Sequence, residues 1–100
     1  MEKRVLPADY ELYKNYPNPF NLDTKIRFSV PVKSKIEISV YNVLGEMVDR
    51  PVDCIYEPGI HEVTCSASLL SSGIYFFSMK ASTISHSLQF IKVQKMMLIK

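Results

Sequence analysis

The sequence has no tryptophan, only three glycines, and no apolar run near the ~20 residues that a membrane-spanning helix requires. The glycines stand alone at Gly45, Gly59 and Gly73, so no glycine-rich phosphate loop is present. Neither a G-x-S-x-G elbow nor a pair of catalytic carboxylates is present either. Acidic residues are missing from the C-terminal part: all ten lie between Glu2 and Glu62, and beyond that the only charged side chains are Lys80, Lys92, Lys95 and Lys100. A one-signed patch raises encounter rates with an acidic surface. The same lysines would also keep edge strands soluble, and the two roles are compatible. Met1 to Pro7 carries two basic residues but no apolar core, which excludes a secretory signal peptide in that stretch.

What is present is alternation. One hundred residues suit one domain with a single core, taken as residues 6–100 behind a disordered lead of residues 1–5. Helical periodicity is nearly absent, and short strands recur at the spacing typical of sandwiches, which predicts an all-β, antiparallel β-sandwich of about seven strands. Leu12 to Tyr16 is predicted as a short first strand and Ile26 to Val30 as the second. Lys35 to Tyr41 follows, with Ile36, Ile38 and Val40 on one face. Asn42 to Glu46 reverses the chain, and Gly45 is the residue best able to take a positive φ. Met47 to Asp53 is the next strand, with Pro51 arguing for an edge position or a bulge.

Pro58-Gly59 predicts a type II turn closing a hairpin. Beyond it His61, Val63 and Cys65 share one face. Ser71-Ser72-Gly73 predicts another reversal, and in Gly73 to Ala81 the residues Tyr75, Phe77 and Met79 alternate with Ile74, Phe76 and Ser78. In the last segment Leu88 and Phe90 lie in one phase and Ile91 and Val93 in the other, so a bulge or strand break near Phe90-Ile91 is expected.

The chemistry-bearing residues are few. Cys54 and Cys65 flank Pro58-Gly59 almost symmetrically, which allows a cross-hairpin disulfide under oxidising conditions; two reduced thiols, one of them buried, is the preferred reading. His61 and Cys65 are four strand residues apart, about 13 Å, which excludes a dyad within one extended strand. Cys54, His61, Cys65 and His86 lack the paired spacing of structural zinc modules. Asn18, Asn21 and Asp23 are better read as local turn formers than as calcium ligands. No cofactor is expected. The lysines are spread too thinly for a nucleic-acid surface, and Tyr75, Phe76 and Phe77 read as strand packing.

Four landmarks recur in order: Tyr16-Pro17-Asn18-Pro19-Phe20-Asn21, Val40-Tyr41-Asn42-Val43-Leu44-Gly45-Glu46, Glu57-Pro58-Gly59 and Ser72-Gly73-Ile74-Tyr75. With the lysine-flanked ending Lys95-Met96-Met97-Leu98-Ile99-Lys100, the chain resembles, from Leu6 to Lys100, the type A C-terminal sorting domains of the type IX secretion system, the Por secretion tail family. The segment departs from the family pattern in two places: the distance from the Gly-x-Tyr strand to the terminal lysine motif is longer by several residues, and the lysine pair reads Gln94-Lys95.

The resemblance implies an immunoglobulin-like sandwich and a non-catalytic sorting signal in Bacteroidetes-like bacteria. It implies an N-terminal passenger, carried as part of a longer precursor through the periplasm to the cell surface or medium. The implied partners are the outer-membrane translocon, shuttle and sortase components. Within it, Tyr16, Pro17, Asn18, Pro19, Phe20, Gly45, Gly59, Gly73 and Tyr75 read as architectural. Lys92, Lys95, Met96, Met97, Leu98, Ile99 and Lys100 read as the recognition segment, and an uncovered edge strand would allow a dimer. The alternative is an adhesive or carbohydrate-binding sandwich using Tyr10, Tyr13, Tyr16 or Tyr56 as sugar platforms.

Overall fold

In the computed structural model, residues 7–85 and 87–100 are described; the expected lead and His86 lie outside them. The described residues form strands only. In chain order these are β1 (Glu11–Leu12), β2 (Asp23–Val30), β3 (Ser34–Tyr41), β4 (Met47–Tyr56), β5 (Gly59–Ser66), β6 (Gly73–Ser82) and β7 (Leu88–Leu98). They pair antiparallel into a three-stranded sheet, β1-β2-β5, and a four-stranded sheet, β4-β3-β6-β7, packed as a sandwich.

Strand alternation builds the core. Ile26, Phe28 and Val30 from one sheet meet Ile36, Ile38, Val40, Phe77 and Met79 from the other, all fully buried. Burying each such side chain stabilises by roughly 1.5–3 kcal/mol. Leu12 and Phe20 close one side, against Met96 and Leu98 of β7. At the far end of that side Tyr10 stacks on Phe90 with ring centroids 5.8 Å apart.

The Asn42–Glu46 reversal forms as expected, with Gly45 at φ 81° and Asn42 Oδ1 accepting from the amides of Leu44 and Glu46. Pro51 lies on an edge strand, as expected, and beside a bulge: Ile38 pairs with Val52 but Val40 with Asp49.

Three expectations are corrected. Pro58-Gly59 closes no hairpin. β4 and β5 belong to different sheets, and Tyr56 to Gly59 carries the chain between them, with Gly59 at φ 149° rather than the roughly +80° of a type II turn. The first strand is shorter than Leu12 to Tyr16: after Leu12 only a single bridge, Tyr16 to Lys25, returns to β2. The bulge in β7 lies at Gln89, because Ala81 pairs with Phe90 and Ser82 with Leu88. From Phe90 to Leu98 the strand is regular, with Ile91 and Val93 turned to solvent.

The Tyr16–Phe20 clasp on strand β7

The two ends of the landmark series meet on one flank of the sandwich. The chain stays bonded to β2 at Tyr13 and Tyr16, through Arg27 and Lys25, then crosses between the sheets and lies parallel to the end of β7, pairing Phe20 with Leu98. Asn15 organises the crossing. It is 3 % exposed, and its Nδ2 donates to Thr24 Oγ1 at 3.0 Å and to the Pro17 carbonyl at 3.2 Å. Thr24 Oγ1 also donates to that carbonyl, at 2.8 Å. The Tyr16–Pro17 and Asn18–Pro19 peptide bonds are both cis.

Asn18 then reaches β7. Its Oδ1 accepts the Met97 amide at 3.0 Å, so its side chain makes a long-range contact rather than the local turn expected of it. The Phe20 amide donates to the Met97 carbonyl at 3.0 Å, and the Ile99 amide donates to the Phe20 carbonyl at 2.8 Å. The Phe20 ring is buried in the core. Beyond the strand, the Lys100 amide donates to Ser72 Oγ at 2.9 Å and its Nζ to the Ser68 carbonyl at 3.2 Å. Tyr75 holds the same reversal by donating its hydroxyl to the Ser71 carbonyl at 2.7 Å.

The residues expected to form the recognition segment therefore divide by strand phase. Met96 and Leu98 are 0 % exposed and belong to the core, so within the folded sandwich they support the strand and touch no partner. Lys95, Met97 and Ile99 face outward, and Lys100, beyond the strand, is exposed. Lys92 is half-buried and pairs with Glu11 of β1. That hydrogen bond, followed by one from the Leu12 amide, holds the Glu11 carboxyl below the usual glutamate range. Gln94 Nε2 donates to the Leu12 carbonyl at 2.9 Å, a second tie between β7 and β1.

Asn15 and Lys14 were absent from the residues singled out in the sequence. Asn15 had one legible signal: it immediately precedes the Tyr16-Pro17-Asn18-Pro19 landmark. Three shallow grooves surround the clasp. One, of about 340 Å³, is lined by Lys14, Asn18, Pro19, Gln94, Lys95, Met96 and Met97. Another, of about 350 Å³, lies between Pro17, Pro19, Phe20, Asn21 and Ile99. The third, of about 300 Å³, is formed by Tyr13, Lys14, Tyr16, Lys25, Arg27 and Glu62.

The remaining chemistry-bearing groups lie elsewhere. Both thiols are free, Cys54 exposed and Cys65 buried, matching the preferred reading. Cys54 lies within β4. Burial, with a smaller contribution from Asp49, pushes the Cys65 thiol up to about 11. It is a neutral core residue at pH 7. His61 packs on Phe28 and Tyr56 and donates to the Glu57 carbonyl at 2.7 Å, a role that anchors the crossover between sheets. Among the described residues no cluster of three or more His, Cys, Asp or Glu is placed to hold a metal ion.

The secretion system C-terminal sorting domain family matches residues 14–94, a narrower span than the resemblance from Leu6 to Lys100. No curated protein matches the chain. The matched span begins at the clasp and includes Pro51, the Asn42–Glu46 reversal, Tyr75 and most of β7. The chain belongs to the C-terminal sorting domains of type IX secretion, a family of sorting signals rather than catalysts, carried by longer precursors bound for the cell surface or the extracellular space.

Proposed function

We propose that residues 6–100 act as a non-catalytic sorting module that takes an N-terminal passenger from the periplasm through the outer membrane, read by the type IX machinery on the outer side of β7. The observation that carries this reading is the family match over residues 14–94. The clasp adds its physical side: it ties down the end of the last strand, where Lys95, Met97 and Ile99 share the outward phase. Side chains in a fixed register give selectivity, and an edge strand offers backbone groups for strand addition. An immunoglobulin-like sandwich is part of the same reading, supported by the three-plus-four division of strands and by the Tyr75 hydroxyl bond to Ser71.

The test is export of a periplasm-targeted reporter fused upstream of residues 6–100, in a type IX-competent host and its secretion-deficient counterpart. Surface delivery only in the competent host, lost on Lys95→Glu/Met97→Asp with the fold retained, is the expected result. Stable periplasmic retention of the folded parent fusion in both hosts would overturn it.

A glycan-binding role is favoured by one observation: Tyr16 is 79 % exposed and Tyr13 40 %, beside Lys25, Arg27 and Glu62 in one groove. Tyr10 and Tyr56 are engaged elsewhere, with Phe90 and with Phe28 and His61. A rise in melting temperature with a glycan, abolished by Tyr16→Ala, supports this role; no shift across a broad glycan panel removes it.

A further inference from the structure

Resting on the sorting reading and naming its partner's chemistry, we propose that the groove between Lys14 and Lys95, with the open stretch of β7 beside it, seats an extended acidic peptide added to the sheet as a further strand.

Strand phase identifies the open stretch. Met97 turns its amide and carbonyl away from β6, since they bond Asn18 and Phe20. Backbone groups alternate along an antiparallel strand. Ile91, Val93 and Lys95 therefore present theirs to the same side, and among the described residues nothing bonds them there. The clasp thus occupies this side of β7 only at Met97–Ile99. An added strand of about five residues, some 17 Å long, would fill the rest.

Charge identifies the occupant. The groove where the clasp ends and the open stretch begins, about 340 Å³, contains Lys14 and Lys95 and no carboxylate. Elsewhere Lys25 pairs with Glu62, Lys33 with Glu57, and Lys35 with Glu37 and Asp53, while Lys80 and Lys100 form no ion pair among the described residues. Glu11, on the strand facing this edge, pairs with Lys92. Among the described residues, Lys14 and Lys95 have no ion-pair partner. A second β7 would bring only its own lysines, and like charges set opposite each other are destabilising. An extended segment with acidic residues at alternate positions presents them on one face, satisfying both lysines while its backbone pairs with Ile91 to Lys95.

The probe is a blocked heptapeptide alternating glutamate with valine, titrated onto the 100-residue chain and followed by amide NMR. Saturable shifts at Ile91, Val93 and Lys95 are expected, weakening with added salt. The glutamine counterpart binds more weakly, and N-methylation of alternate peptide amides abolishes binding. Lys14→Gln and Lys95→Gln each weaken binding about fivefold, and Lys14→Glu/Lys95→Glu transfers preference to the lysine–valine peptide. Equal binding of the glutamine peptide, shifts confined to other strands, preference of these amides for a sulfated oligosaccharide, or no binding at millimolar peptide each overturns the proposal. Should a variant fail to fold, the N-methylated peptide decides the question on the unaltered chain. Export of the reporter is scored separately: peptide binding as expected with no export in the competent host sinks the sorting reading and leaves the groove standing.

Discussion

The two edges of the four-stranded sheet, β4 and β7, are built on opposite plans. β4 carries Pro51, two register shifts against β3, and a mixed-charge surface in which Asp53 meets both Lys35 and Arg50. An added strand would find no straight row of donors and acceptors there, which is how sheets protect an edge. β7 has its irregularity at Gln89 and then runs regularly from Phe90 to Leu98, without a proline or a carboxylate. The protein defends one edge in its backbone and the other only with lysines and a clasp. An edge left regular is an edge that can be used.

The largest effect should come from the inward phase of β7. Met96→Ala and Leu98→Ala each remove a fully buried side chain and should cost about 2–5 kcal/mol in urea unfolding. Lys95→Gln on the outward phase should change stability by less than about 0.5 kcal/mol. Equal costs for the two phases would break the division between supporting and outward-facing residues.

The clasp should contribute less. Asn18→Ala removes the acceptor for the Met97 amide, at about 1 kcal/mol. Hydrogen exchange at Met97 should then approach that at Lys95, which faces the open side. Unchanged protection at Met97 would mean that the clasp is not what closes this part of the edge.

The smallest effect concerns the tie between β1 and β7. Because the folded-state value of Glu11 is lowered below its ordinary 4.5, its contribution is present above pH 4.5 and lost as pH falls through the lowered value. Above that range the parent should be more stable than Glu11→Gln, and the two should converge in acid. A difference independent of pH would show that the Lys92 pair contributes nothing through charge.

Much of the architecture was legible because alternation is local. Ile36, Ile38 and Val40, or Tyr75, Phe77 and Met79, announce a buried face whatever strand lies next to them, and all six are buried. Pro51 marked an edge for the same reason, since its missing amide is a property of one residue. Neighbour choice is not local. Nothing in Pro58-Gly59 says that β5 will pair with β2 across the sandwich instead of folding back on β4.

Ile91 and Val93 misplaced the expected bulge because exposed apolar residues are common: burial predicts apolarity better than apolarity predicts burial. At the site, the outward lysines were readable from sequence. Asn18 was assigned to a local turn because the partner it uses, the Met97 amide, is distant in the chain. Lys14 gave no signal at all, since its role depends on Lys95 lying across a groove.

The parallel bridge between Phe20 and Leu98 also sets how the molecule carries load. Tension applied between the chain preceding Tyr16 and the residue Lys100 pulls the two paired segments lengthwise past each other. The Phe20–Met97 and Ile99–Phe20 hydrogen bonds, with Asn18 beside them, then lie in shear and must give way together instead of unzipping one at a time. Load applied between those two points is therefore borne in shear at the strand on which the clasp closes.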